Sequence, residues 1–245
     1  MDLHDDIRRY WDDDAAGYDA VPNHHPTDPG VLAAWTAALA TLLPPPRARV
    51  LDCGAGTGFL SLVAARLGHA VVAVDLSEEM LARLETKAAA EGLGVETFTG
   101  PAERPPSGPF DAVMERHLLW TLPDPVAALA AWRDVAPHGT LVSVEGIWGP
   151  ADPIERLRGL LRSRAARLTG RHEHHAPYPS HVTARVPLAG RTTPSTVVTS
   201  VQEAGWRGPR LQRLHDVEWA MRLTLPPVLR AFGVAPVFVV VASAD

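Results

Sequence analysis

Between Arg49 and Gly146, short apolar runs of strand length alternate with segments of helical periodicity, and few folds accept that order. "RVLDC" reads as a strand and "TGFLSLVAARLG" as a helix closed by Gly68. "AVVAVD" is the next strand, and "SEEMLARLETKAAAEG" the next helix, with Ser77 placed to cap its first turn. "GVETFTG" and, after a Pro-rich loop, "FDAVMER" are two further strands. Asp124 and Pro125 open the helix "DPVAALAAWRDVA", and "GTLVSVEG" follows as a strand. A helix between successive strands makes them run parallel, so the sequence predicts a doubly wound α/β sheet with helices on both faces.

The flanks read differently. Residues 4–19 form an amphipathic helix carrying Ile7, Tyr10, Trp11 and Tyr18, and Asp28 caps an apolar helix that runs to Leu43 and a proline stop. Beyond Ile147 the alternation ends. Residues 148–190 carry Pro, Arg and His with one predicted helix, Ile154 to Leu168, and are too long for a simple connection, so a cap or lid is expected there. Order returns at "PSTVVTSVQEAGW", and "GPRLQRL" and "APVFVVVASA" read as two final strands. The expected organisation is a helical cap at 1–45, a ligand-binding core at 46–147, a lid at 148–190 and completion of the sheet at 191–245.

Composition removes several functional classes. The chain has 245 residues, 46% hydrophobic and 21% charged, which suits a globular core of good size. No apolar stretch reaches the roughly 18 residues of a membrane-spanning helix. The first residues, "MDLHDDIRRYWDDD", are polar and acidic, the opposite of a secretory signal, so a cytoplasmic location is expected. Cys53 is the only cysteine, which excludes a disulfide framework and a thiolate zinc site. "RHEHHAP", Arg171 to Pro177, is not H-E-x-x-H and no distant acid or cysteine set completes it, so no metal is expected. A net charge of −5 without any Lys/Arg run argues against nucleic acid as substrate. Lys87 is the only lysine, so 22 of the 23 basic residues are arginine; with abundant Ala, Pro and Gly this reads as the coding bias of a high-GC bacterial genome.

The stretch "VLDCGAGTG" sits where the first core strand gives way to a helix, so its glycines can build a tight turn at the switch point of the sheet. A dinucleotide fingerprint requires Gly-x-Gly-x-x-Gly; Gly54 and Gly56 fit, but Phe59 stands at the third glycine position and Gly58 comes one residue early. Asp52 would also bring a carboxylate toward a pyrophosphate. That acid better suits a cationic ligand bearing an amino acid. The pattern D-x-G-x-G-x-G, Asp52 to Gly58, resembles the first motif of class I S-adenosylmethionine-dependent methyltransferases. "AVVAVD" ending in Asp75, the loop "TGPAE", the "LPDP" helix start and the N-terminal "RRYWDDDAAGYD" follow the same family in order, in its ubiquinone/menaquinone-biosynthesis-like branch (methyltransferase type 11/25). The likeness spans Arg8 to Gly146 and, weakly, the last two strands.

That resemblance implies a seven-stranded Rossmann-like sheet with a reversed last strand, a helical cap, and S-adenosyl-L-methionine as cofactor. It implies that Asp75 holds the ribose hydroxyls, that Leu76 and Met80 flank the adenine, and that the Ala102 N–H meets the ring edge beside Glu103. Pro101 stands where the family has Asp. Asp52, Gly54, Ala55, Gly56 and Gly58 would form the turn under the ligand, the Arg116 carbonyl would meet its ammonium, and Tyr18 would close over it. On the acceptor side His117, at the end of the fourth strand, is a candidate base for a hydroxyl or amine, with Glu145 the second candidate. Tyr10, Trp11, His25 and Trp148 are candidate substrate contacts. Each has a plainer alternative: aromatic packing, a solvated loop, or a histidine bonded to backbone.

The implied activity is methyl transfer to a small molecule, with an aromatic or heteroaromatic specialised metabolite as one acceptor class. The alternative is a protein that binds the same cofactor without methylating, or a cyclase on this fold. Phe59 weighs against an NAD-dependent oxidoreductase, and a macromolecule methyltransferase would want a basic face or an Asn-Pro-Pro-Tyr-like motif, neither of which occurs. No nucleic-acid or membrane partner is expected, and oligomeric state carries no sequence signature.

Overall fold

A computed structural model describes residues 2–147, 157–161, 164 and 178–245. Its helices begin where the capping residues stand. Asp2 caps α1 (Leu3–Tyr18), and Asp28 accepts the N–H groups of Gly30 and Val31 at the start of α2 (Pro29–Leu42). Ser77 caps α4 (Glu78–Glu91), and Asp124, with Pro125 at the first helical position, opens α5 (Pro125–Val135). The helix Pro194–Glu203 carries a capping box built from Thr193 and Thr196.

The strands are β1 (Arg49–Cys53), β2 (Ala70–Asp75), β3 (Val95–Thr99), β4 (Ala112–Arg116), β5 (Thr140–Gly146), β6 (Arg207–Arg213) and β7 (Val237–Ser243). They form one seven-stranded sheet in the order β3-β2-β1-β4-β5-β7-β6. The first five are parallel, and β7 runs antiparallel against β5, from Thr140↔Ser243 to Gly146↔Val237. This is the doubly wound sheet that the alternation of strands and helices predicts, with the reversed last strand that the family resemblance implies.

Two cores flank the sheet because β1, β4, β5 and β7 are apolar on both faces. One buries Trp35, Leu39, Val63, Val142 and Val239; the other buries Leu129, Trp132, Val201, Trp206 and Val240. In the second core Trp132 donates to the Ala102 carbonyl and Trp206 to that of Leu129, each at 2.8 Å. Strand order reverses between β1 and β4, so their C-terminal ends diverge and leave a crevice.

Much of the segment expected as a lid, including Trp148 and "RHEHHAP", lies outside the described residues. Residues 157–161 are helical, as expected, and the short helix Ser180–Thr183 docks on α1, where Tyr178, Val182 and Val186 bury Leu3 and Ile7. No helix among the described residues is long and apolar enough to cross a membrane.

Candidate active site

The glycine turn follows β1, and Gly54, Gly56 and Gly58 all adopt the left-handed conformation, with φ of +63, +54 and +86°. Their surroundings differ. A Cβ at Gly54 would lie 2.5 Å from Leu118 Cδ1, and one at Gly58 would lie 2.1 Å from Leu84 Cδ1, so these two glycines permit close packing inside the protein. At Gly56 the same Cβ would meet nothing within 4 Å, and Gly56 lines a cavity. Its bare backbone is therefore offered to a ligand.

Asp75, at the tip of β2, is turned toward that glycine. Its Oδ2 accepts the Gly56 N–H at 2.8 Å and its Oδ1 accepts the Ser77 N–H at 2.9 Å. Burial raises the Asp75 pKa, and those backbone N–H groups oppose the rise. Each oxygen retains a lone pair, so a fixed carboxylate faces the cavity with two acceptor positions, which suits a vicinal diol.

The cavity holds about 690 Å³ of free space, its open mouth included. Gly54, Gly56 and Asp75 form its base. Leu76, Met80, Pro101, Ala102 and Glu103 form one wall, and Arg116, His117, Leu118, Thr121, Leu122 and Pro123 the other. The roof is one face of α1: His4, Ile7, Trp11 and Tyr18. Polar pairs tie this helix down. Asp12 accepts the Ser77 hydroxyl at 2.6 Å, Asp19 accepts Thr57 at 2.5 Å and Lys87 at 2.8 Å, and His4 Nε2 stands 3.3 Å from Glu103 Oε1. Trp11 adds ring contacts to Tyr10, Tyr18, Trp120 and Tyr178.

His117 has φ +62°, and burial, helped by Arg116 and His24, holds its pKa down to about 3. The ring is neutral at physiological pH and can accept or donate a hydrogen bond, but it is a weak base. The Arg116 side chain donates to the carbonyls of Asn23 (3.1 Å) and His24, and its guanidinium lies 4.7 Å over the Phe59 ring. It thereby fixes the loop between α1 and α2.

The structure gathers eleven of the sequence candidates around this cavity: Trp11, Tyr18, Gly54, Gly56, Asp75, Leu76, Met80, Ala102, Glu103, Arg116 and His117. The others stand elsewhere. Asp52 is buried and accepts the Ser61 hydroxyl at 2.6 Å, on the α3 (Phe59–Arg66) side of the turn. Ala55 donates its N–H to the Val74 carbonyl, and Gly58 starts α3. Glu145 lies behind the wall, where its Oε1 accepts the Leu119 N–H at 3.1 Å. Tyr10 packs in the aromatic cluster against Tyr178, and His25 sits 3.2 Å from Lys87 Nζ with its pKa lowered by burial to about 4. His4 and Ile7 in the roof and Thr121 in the wall line the cavity although the sequence reading did not propose them as site residues; for the first two the spacing of positions 4, 7, 11 and 18 along α1 was the available signal.

Comparison with known proteins fits this geometry. The family model for a methyltransferase domain matches residues 50–139, which hold the glycine turn, Asp75, Ala102 and His117. Residues 50–139 are a methyltransferase domain. Over 138 residues the chain is 37% identical to the ubiquinone biosynthesis O-methyltransferase of Xanthomonas campestris pv. campestris (strain B100), covering 54% of each. The chain thus spans about half the length of that relative. Solved structures match the fold of the methyltransferase domain and its surroundings. An S-adenosylmethionine-dependent methyltransferase from Aquifex aeolicus superposes with a TM-score of 0.55 at 18% identity, over 89% of this chain and 99% of that one. The magnesium protoporphyrin IX methyltransferase of Synechocystis PCC 6803, solved with bound S-adenosylhomocysteine, gives 0.54 at 15% identity over 86% and 81%.

Proposed function

We propose that this protein transfers the methyl group of S-adenosylmethionine to a small-molecule acceptor. The observation that carries this reading is the pairing of Gly56 with Asp75: a ligand-facing backbone and a fixed carboxylate, 2.8 Å apart, at the base of one cavity. The residues present suit the cofactor. Asp75 would hold the ribose hydroxyls, Leu76 and Met80 would sandwich the adenine, and the Ala102 backbone would meet its edge. The cofactor supplies a methyl already activated on a sulfonium. What remains for the chain is alignment of the acceptor and exclusion of water.

α1 serves the second task by roofing the cavity with Ile7, Trp11 and Tyr18. On the acceptor side the wall is His117, Leu118, Thr121, Leu122 and Pro123, which favours an uncharged, partly aromatic acceptor. His117 would accept a hydrogen bond from a hydroxyl or amine and orient its lone pair toward the methyl, and its weak basicity favours an acceptor that is nucleophilic without full deprotonation.

Calorimetric titration with S-adenosylmethionine, S-adenosylhomocysteine and NAD tests the reading. Binding of the two sulfur ligands in the micromolar range, lost in Asp75→Ala, is expected. Tighter binding of NAD would overturn it. If the cofactor binds but no panel of acceptors yields S-adenosylhomocysteine, a non-transferring use of the cofactor replaces methyl transfer.

A further inference from the structure

An acid buried on an interior strand is costly, and this sheet carries two of them side by side. Glu115 on β4 and Glu145 on β5 are both 0% exposed. By strand alternation they belong to the sheet face that carries Val113 and Leu141, and Glu115 stands opposite Ser143, two residues before Glu145. Both engage one short piece of chain. β4 stays in the sheet one residue past its end, where His117 donates to the Val144 carbonyl at 3.0 Å. His117 then takes φ +62°, which a residue with a side chain rarely adopts, and the chain leaves the sheet. The next two N–H groups go to the glutamates: Leu118 donates to Glu115 Oε2 at 2.9 Å and Leu119 to Glu145 Oε1 at 3.1 Å. The Ser143 hydroxyl donates to Glu115 Oε1 and fixes that carboxylate in turn.

These two N–H groups open the single helical turn Leu119–Thr121, and no carbonyl within that turn can take them. The turn carries much of the acceptor-side wall: His117, Leu118 and Thr121 line the cavity, and Leu118 also lies against Gly54. Backbone held in a rare conformation keeps it only where its surroundings over-determine it. Here the determinants are the Val144 carbonyl before the bend and two buried carboxylates after it. Any relaxation of φ at His117 turns its ring off the wall and lifts Leu118 from the glycine turn.

We propose that Glu115 and Glu145 are a pair of positioning residues for His117: by accepting successive N–H groups they hold its backbone left-handed and so keep its ring on the acceptor side of the cavity. The assignment rests on the reading of that cavity as a methyl-transfer site. Neither glutamate lines the cavity, so neither acts on the acceptor directly. The clamp needs an acceptor oxygen at a fixed point rather than a negative charge. Glutamine supplies that oxygen and methionine, of similar size, does not. The same contrast separates a clamp from a base at Glu145, since a base fails equally in both variants.

The test compares wild type with Glu145→Gln, Glu145→Met, Glu115→Met and Ser143→Ala. One readout is the set of backbone NMR couplings of isotope-labelled His117, which distinguish positive from negative φ and need no ligand. The other is calorimetric affinity for S-adenosylhomocysteine. Glu145→Gln should keep the His117 couplings of wild type, with affinity unchanged within about twofold. Each Met variant should move the couplings toward negative φ and, through Leu118, weaken S-adenosylhomocysteine about three- to tenfold, the worth of one hydrogen bond. Ser143→Ala leaves both N–H bonds in place and should leave His117 unmoved. A folded Glu145→Met that keeps positive φ at His117 would show a merely structural acid and overturn the proposal. So would a Gln variant that behaves like Met, or a wild type with negative φ. Should the Met variants not fold, Glu145→Asp, one methylene short of the Leu119 N–H, gives the same reading. If wild type fails to bind S-adenosylhomocysteine, the cofactor reading falls, while the His117 couplings still decide whether the clamp holds.

Discussion

Leu118 closes directly over Gly54: a Cβ on the glycine would stand 2.5 Å from Leu118 Cδ1. The contact joins the turn after β1 to the turn after β4, which are the two edges of the crevice. Leu118 is itself held from below, because its N–H donates to Glu115 Oε2 at 2.9 Å. Gly54→Ala therefore meets two penalties, a left-handed φ of +63° and a side chain that has to move. The first costs about 1–2 kcal/mol. The expected outcome is a lower melting temperature together with at least tenfold weaker binding of S-adenosylhomocysteine. Adding Leu118→Ala should restore part of the binding, since it removes the clash and leaves the φ strain. A double-mutant cycle that proves additive would show that the two turns are not coupled.

The roof should respond to one hydroxyl. Ser77 donates to Asp12 of α1 at 2.6 Å, and its oxygen also accepts the Met80 N–H at the start of α4. Ser77→Ala removes the helix cap and the tether together, at a cost of about 1–2 kcal/mol. Asp12→Ala removes the tether, together with an i,i+4 ion pair to Arg8 at 2.7 Å on α1, and should leave α4 intact and accelerate release of S-adenosylhomocysteine. Stopped-flow fluorescence of Trp11, which lies in the roof, would report the release rate. An unchanged rate in Asp12→Ala would mean that α1 does not limit ligand exit.

How much of this could be read from the residues follows from which interactions are local. Strand and helix order was legible because hydrophobic period and N-caps act over a few residues, and Ser77, Asp124 and Thr193 each cap the helix that follows them. Asp75 was legible because the end of an apolar strand is fixed by the run itself. Asp52 was not legible in the same way. The motif marks it as ligand-facing, but Ser61, one turn into α3, turns its carboxyl inward, and that depends on how the helix packs against the strand. Glu145 is similar: its partner, the Leu119 N–H, belongs to the turn after β4, 26 residues away in sequence. His4 meets Glu103 across 99 residues, so only the folded roof brings the two together.

His117 should be silent to pH across the physiological range. Burial and the nearby Arg116 hold its pKa down to about 3, so the ring stays neutral from pH 5 to 9. Histidine-selective NMR should find the His117 ring unmoved over that interval, as for His25, whose pKa burial lowers to about 4. In Arg116→Met, loss of the neighbouring charge should bring its titration upward. A His117 signal with a midpoint near 6.5 in wild type would contradict the burial argument and restore the residue as a strong base.

Asp52 gives a dependence of stability on pH whose sign is opposite to that of a salt-bridged acid. Its carboxyl is fully buried, and burial pushes its pKa up to about 7 against the Ser61 hydrogen bond. The folded state therefore binds a proton that the unfolded chain, with an aspartate pKa near 3.9, has already released. Between roughly pH 4 and 7 the folded protein holds more protons, so this group makes unfolding easier as pH rises, by up to about 1.4 kcal/mol per unit. Below pH 4 the stabilisation is complete, and by pH 7 most of it is gone. Asp52→Asn keeps the shape and an acceptor for Ser61 but cannot titrate. Urea unfolding at pH 5 and pH 7.5 should find the variant losing less stability than wild type over that step. Equal losses in both proteins would mean that Asp52 is ionised in the fold throughout, and that its charge is balanced by a cation nearby.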